Sequence, residues 1–281
     1  MPIQVVTDST CDLPASVVQE LGIRVIPLYI HVGTEQYLDG LELSREDFYR
    51  GLPGYAEPPT TAAPGIDAFG DVYEQLAAEG ATGIVSIHIS ETLSNVANVA
   101  QLAAQRITSV PVTVIDSGQL TMGVGFEVLR AVEVARAGGT MAEVVAAVRD
   151  LIPRTHTFAA LSTVEFLRRS GRLTQFQAGL ATVLGILPLL RMHNGVAEME
   201  KVRTQGRAVR RLLQLLSDVG QLQELAVVHT NAPQKAVQLH ERAQALIPSG
   251  IEPVYAQVTP VIGAHIGPGA VGFVAVVRSN S

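Results

Sequence analysis

The chain has 281 residues, 47% of them hydrophobic and 16% charged, with 26 acidic against 20 basic side chains and a net charge of −6. That length and apolar content suit two domains or one large one and exclude a disordered chain. The acidic balance argues against nucleic acid as a partner, and the single cysteine, Cys11, excludes an intrachain disulfide and a thiolate metal cluster.

The first residues, "MPIQVVTDST", reach a charge at Asp8, too early for the apolar region of a signal peptide. "IQVVT" (3–7) reads as a buried strand, and "LPASVVQELG" as a helix opened by Asp12 and stopped at Gly22. "IRVIPLYIHV" follows as one or two strands. "EPPTTAAPG" (57–65) reads as a rigid proline-bracketed connector that holds Thr60 and Thr61. A loop so restricted has little entropy to lose when it places a hydroxyl on a ligand. "GIVSIHIS" (83–90) and "PVTVIDS" (111–117) are strands; the first leads into the helix "NVANVAQLAAQRI" and the second into a long helix ending at Gly138. Strands alternating with helices of this length imply a mainly parallel sheet with flanking helices.

A different grammar begins near residue 155, where a domain boundary is expected, giving an N-terminal α/β domain (1–155) and a C-terminal α+β domain (156–281). "HTFAALS" reads as a strand and "VEFLRRSG" as a helix ending at Gly171. Two strand-like runs flank His193-Asn194-Gly195, and Asn-Gly is the strongest short hairpin signal. A helix (205–219), the strand "ELAVVHT", a helix (232–246) and the strand-like "EPVYAQVTP" and "VGFVAVVR" complete a mixed α+β sheet domain. The longest apolar run, 178–190, falls short of the roughly 20 residues a membrane helix needs. A soluble cytoplasmic protein making at most transient membrane contact is the expectation.

In open α/β sheets ligands bind beyond the carboxyl ends of strands. Three such ends carry hydroxyl-rich turns: Thr7-Asp8-Ser9-Thr10, Glu91-Thr92-Leu93-Ser94-Asn95 and Asp116-Ser117-Gly118. Each singly is explained as a helix cap; together they suggest a seat for a carboxylate or phosphate. Arg168, Arg169 and Arg172 lie at a predicted helix end, where cations complement the dipole. Arg203 and Arg207 read as an exposed helix face, and Cys11 as a small buried residue.

Near the C-terminus, "GAHIGPGAVG" (263–272) matches the spacing of a dinucleotide-binding glycine fingerprint. That fingerprint must follow a strand and open a helix inside a βαβ unit. Here the glycines precede a strand-like tail that ends nine residues after Gly272, so the match fails. There is no Gly-Lys pair for a P-loop and no Gly-x-Ser-x-Gly elbow. What remains is His265 in a loop whose glycines let a partner approach closely.

Taken together, "TDSTCDLP" (7–14), "YLDGLELSREDFY" (37–49), "PPTTAAP" (58–64), "ETLSNVANVA" (91–100), "IDSGQLTMGVG" (115–125), "FLRRSGRL" (166–173), "EKVRTQGRAV" (200–209) and "VIGAHIGPGAVG" (261–272) resemble the DegV family in order and spacing across nearly the whole chain. Its studied members include the fatty-acid-binding subunits of bacterial fatty acid kinase. The resemblance implies two α/β domains with an apolar tunnel between them, no cofactor, and a long-chain fatty acid as ligand. A separate ATP-dependent kinase subunit would phosphorylate the presented carboxylate. Carried over residue by residue, the carboxylate contacts are Thr61, Ser94 with its neighbour Asn95, and His265. Arg172 and Arg203 match positions associated with the tunnel mouth or with kinase docking.

The chain departs from the family pattern at Ala62, where serine is usual, at Ser94-Asn95-Val96, where "SGT" is common, and at Ser170-Gly171-Arg172, where "GGR" is common. Losing two hydroxyls and gaining an amide implies an altered head-group network. A burial argument supports the family reading, because a buried carboxylate needs several donors, and hydroxyls, amides and a charged His or Arg supply them. The run 178–190 could line the tunnel. Two other readings stay open: a stand-alone hydrolase using Ser94 or Ser9 with His265, and an enzyme akin to dihydroxyacetone kinase.

Overall fold

The computed structural model describes residues 2–175 and 187–279. The elements run β1 Ile3–Asp8, α1 Ala15–Leu21, β2 Arg24–Ile26, β3 Tyr29–Val32, β4 Glu35–Leu38, α2 Arg45–Gly51, β5 Thr60–Ala62, α3 Ile66–Ala78, β6 Gly83–His88, α4 Val96–Ala104, β7 Val112–Asp116, α5 Met122–Arg136 and α6 Met141–Leu151. They continue with β8 Thr155–Ala160, α7 Glu165–Arg169, β9 Leu187–His193, β10 Val196–Val202, α8 Gln205–Asp218, β11 Leu222–His229, α9 Pro233–Ala243, β12 Val254–Gln257, α10 Pro260–Ile266 and β13 Val271–Val277.

Among the described residues the strands form three sheets. The first, ordered β2-β1-β6-β7, is parallel throughout. Its central strands β1 and β6 are near-continuous apolar runs buried on both faces, as parallel strands must be. The second has six strands, β10-β9-β8-β13-β11-β12, of which only β11 and β12 run parallel. A three-stranded antiparallel sheet, β4-β3-β5, sits apart from both. The expected fold class, mainly parallel α/β followed by mixed α+β, is what the chain adopts.

Helices and sheets stack in layers. One core holds α5 between the two larger sheets, uniting Val85, Ile87, Phe126, Val128, Val228 and Val274. A second packs α3 and α4 on the outer face of the parallel sheet, and a third packs α8 and α9 on the outer face of the mixed sheet. Each such fully buried Leu, Ile, Val or Phe contributes about 1.5–3 kcal/mol. The hairpin tip between β9 and β10 ties the sheets together. Asn194 and Gly195 both take positive φ, as a two-residue hairpin loop requires, and the Gly195 N–H donates to the Gly118 carbonyl at 3.0 Å. A Cβ on Gly118 would lie 2.7 Å from the Gly195 nitrogen, so only glycine permits this approach. Beside it, the buried Gln119 amide donates to the Thr155 carbonyl and accepts from Thr157.

Several sequence expectations are corrected. Helix α1 is not opened by Asp12: Asp12 has φ 54° and the helix begins after Pro14. Proline restricts the residue before it to extended backbone, which keeps Leu13 out of the helix. "IRVIPLYIHV", expected as one or two strands, forms two, and Pro27 splits them between different sheets because proline has no N–H to continue a ladder. The connector at 57–65 contains β5, which pairs with β3 and sets Thr61 opposite Ile30. Six elements, β4, α2, β5, α3, α6 and α10, have no counterpart in the sequence reading. Most of the apolar run 178–190 lies outside the described residues.

Candidate functional site

In the parallel sheet the chain leaves β1 toward β2 on one side, while β6 and β7 lie on the other. Ligand crevices form at such a reversal, beyond the strand ends. The turn that leaves β6 is folded by Ser90, whose carbonyl accepts the Leu93 and Ser94 N–H groups. It sets Ser94 and Asn95 just before α4 on the rim of a cavity of about 200 Å³. Thr61 reaches the same cavity from β5, His265 from α10, and Arg172 from the turn after α7. Five of the six residues that the family resemblance points to therefore line one cavity. Its walls are apolar: Leu28, Ile89, Leu93, Leu120, Leu190 and Ile262.

His265 is not in a loop. It occupies the last turn of α10, and Gly267, at φ 73°, ends that helix. Its Nε2 lies 2.8 Å from the Thr61 hydroxyl, while Nδ1 is buried without a hydrogen-bond partner among the described residues. Burial, followed by the charge of Arg172, pushes the imidazole down to about 4. The ring is therefore neutral at pH 7, so of the expected charged donor, His or Arg, it is the arginine that fits. Arg172 supplies the positive charge. Its Nε is buried and unpartnered among the described residues, and its guanidinium otherwise donates to the Ser170 carbonyl. Arg168 and Arg169 are held elsewhere, both on Glu165 at 2.7 and 2.5 Å.

A second cavity, about 50 Å³, continues the apolar walls inward. It shares Leu93, Leu120, Leu190, Ile262 and Ile266 with the first and ends against Thr121, Thr157 and Met192. The hydroxyls of Thr121 and Thr157 are engaged with Asp12 and Gln119. A polar rim thus opens onto an apolar interior.

Of the three hydroxyl-rich strand ends, only the one after β6 lines this pocket. Asp8 is enclosed and accepts from Thr10, from the Ile89 N–H and from His88. Asp116 accepts from the Glu91 and Gly118 N–H groups. Arg203 lies apart, in a surface groove with Lys201, Arg207, Arg210 and Arg211. Cys11 is buried and its thiol is pushed up to about 12, chiefly by burial, so it is not a nucleophile.

The hydrolase reading finds no geometry. Ser9 accepts from the Leu28 N–H and lines a different cleft, and among the described residues no carboxylate bonds to His265 to orient it. A Ser-His-Asp chain does exist in the interior: Ser86 Oγ is 2.7 Å from His88 Nε2, and His88 Nδ1 is 3.0 Å from Asp8. All three are fully buried, and Ser86 Oγ also accepts from Tyr73. Closed off from solvent, this chain serves structure. The sequence signal for it was only Ser86-x-His88 on a strand, too common to read.

The model described as "Uncharacterised protein, DegV family" matches residues 2–278. The chain belongs to the DegV family. A DegV domain-containing protein of Streptomyces coelicolor is 38% identical over 275 residues, 97% of each chain. Protein DegV of Bacillus subtilis is 30% identical over 277 residues, covering 97% of this chain and 98% of its own. Among solved structures, DegV of Bacillus subtilis, described as a fatty acid binding protein, superposes with a TM-score of 0.90 at 29% identity over 99% of this chain and all of that one. A fatty-acid-binding DegV family protein from Thermus thermophilus superposes with a TM-score of 0.88 at 31% identity, again over 99% of this chain and all of that one. Among the described residues no helix is long and apolar enough to cross a membrane.

Proposed function

We propose that this chain binds a long-chain fatty acid in a tunnel between its N-terminal (1–155) and C-terminal (156–281) domains. The carboxylate sits on the rim, accepting from the Ser94 hydroxyl, the Asn95 amide, the Nδ1–H of the neutral His265 ring and the Arg172 guanidinium, while the Thr61 hydroxyl donates to His265 Nε2 and so holds the proton on Nδ1. The observation that carries this reading is the pairing of two buried atoms without partners among the described residues, His265 Nδ1 and Arg172 Nε, with an apolar cavity leading away from them. Buried polar groups without partners are rare and mark places where a ligand or water completes the hydrogen bonding. The acyl chain adds about 0.8 kcal/mol per buried methylene. The family's fatty-acid-binding members support the same ligand.

The bound carboxylate is presented to a separate ATP-dependent kinase subunit. There a carboxylate oxygen attacks the terminal phosphorus, the acyl phosphate forms and ADP leaves. Arg203 and the basic groove around it are the docking face for that partner. Organic extraction of purified protein followed by mass spectrometry tests the ligand: an acyl chain is expected. Recovery of none, with no uptake by delipidated protein, would sink the reading.

A further inference from the structure

Helix α10 is seven residues long and carries His265, yet its first residues receive no side-chain cap from Thr259. A helix this short does not hold itself in place, since isolated helices below about 12–15 residues are marginal in water. The three residues before it are gripped one after another by side chains from the first 50 residues. Arg45 donates to the Gln257 carbonyl, and Tyr49 donates to the Val258 carbonyl at 2.9 Å. Asp12 accepts the Thr259 N–H at 2.9 Å, and Asp39 accepts the Thr259 hydroxyl. Arg45 and Tyr49 lie one turn apart on the same face of α2. Arg45 also pairs with Asp12 at 3.0 Å, and Thr121 donates to the second Asp12 oxygen at 2.6 Å. Farther along, the Tyr49 ring packs so tightly on Gly263 that no Cβ would fit there.

Both acids are expensive for the fold. Burial, the dominant cause, raises each carboxyl to about 6, and the two carboxylates repel one another across the cluster. Arg45 partly offsets this, as do the hydroxyls of Thr121, Ser9 and Thr259. Buried ion pairs of this kind are often replaceable by neutral groups without loss of stability. What this cluster holds is the segment that launches α10.

We propose that Asp12 and Asp39, together with Arg45 and Tyr49, are positioning residues for His265, fixing the start of α10 so that Nε2 meets Thr61 and Nδ1 faces the head group. From Thr259 to His265 the helix advances about 9 Å, so a tilt of about 10° at the anchored end displaces the imidazole by about 1.5 Å. Only the affinity part of the test rests on the fatty-acid reading.

The test uses full-length Asp39→Asn and Tyr49→Phe proteins, each alone and in a His265→Gln background, with palmitate as the probe. The ring nitrogens of His265 are followed by long-range proton–nitrogen NMR without ligand, the resonances being assigned by their loss in His265→Gln. In Asp39→Asn the melting temperature at pH 7.5 is expected to hold or rise, while the Nε2 resonance shifts and palmitate affinity falls three- to tenfold. That fall should largely disappear in the His265→Gln background. Tyr49→Phe, which leaves both acids in place, should give smaller changes of the same kind and serves if Asp39→Asn fails to fold. An unmoved His265 resonance, or an equal affinity loss in both backgrounds, overturns the proposal. If the wild type binds no palmitate, the fatty-acid reading falls, while the resonance still decides the positioning role.

Discussion

His88 and His265 each lie within hydrogen-bonding distance of a hydroxyl, but their surroundings differ. His88 has a partner on both ring nitrogens, Ser86 and Asp8, and Asp8 in turn accepts from Thr10 and the Ile89 N–H. Burial works to raise the Asp8 carboxyl, but the hydrogen bond and charge of His88 and the Thr10 donors outweigh it and hold it below its usual value. His265 has one partner, Thr61, and a buried nitrogen with none among the described residues. A closed polar network fixes a fold. One left open beside a cavity is prepared for something that arrives later.

The contrast predicts opposite phenotypes. The largest effect is expected from His88→Ala, which leaves Asp8 charged and buried without its counter-group. Breaking such a pair costs about 3–5 kcal/mol, read as a lower urea midpoint. His265→Ala should leave that midpoint within about 1 kcal/mol and instead weaken palmitate binding roughly ten- to hundredfold, the worth of a hydrogen bond to a charged group. If His265→Ala unfolded the protein while binding per folded molecule stayed intact, the two sites would have been assigned the wrong way round.

A smaller effect tests Asp39 and His265 through pH. The Asp39 carboxyl is raised from 3.8 to about 6 by burial, so between pH 4 and 6 the folded state holds more protons than the unfolded one. Its contribution therefore falls as pH rises through that window. Asp39→Asn should match the wild type near pH 4 and gain on it by on the order of 2 kcal/mol at pH 7. The sign is reversed for His265, lowered from 6.5 to about 4: the unfolded state holds the extra proton and stability rises with pH between those values. His265→Gln should therefore gain on the wild type toward pH 4. Urea midpoints at both pH values read each difference.

The smallest effect concerns Arg172, whose charge is the second cause of the His265 shift after burial. In Arg172→Gln the His265 midpoint followed by NMR should move up from about 4 but stay below 6.5, because burial remains. A midpoint that did not move would place the guanidinium away from the ring.

Much of the site was legible in the chain because local rules select it. A hydroxyl-rich turn at a strand end, a threonine between prolines and a histidine among glycines each break the pattern of their surroundings. The same rules also selected the turns after β1 and β7, which hold the fold together. Local sequence does not say whether a cap's oxygens are already filled, and Asp8 and Asp116 are filled by groups far away in the chain. The helix around His265 was hidden for the same reason. Seven residues with one glycine and three β-branched side chains are poor helix formers, and their anchors are Asp12, Asp39, Arg45 and Tyr49, more than 200 residues earlier.

By itself, the sequence determined the alternation of strands and helices, the buried parallel strands, the Asn-Gly hairpin and the failure of the glycine fingerprint, all of which depend on periodicity and backbone preference over a few residues. Only the tertiary structure decided that Thr61 and His265 meet, that Arg203 stands apart from them, and that His265 is neutral. Those outcomes depend on burial and on charges brought together from distant parts of the chain. An imidazole's proton responds to the dielectric and to Arg172 beside it, and neither can be read from its neighbours in sequence.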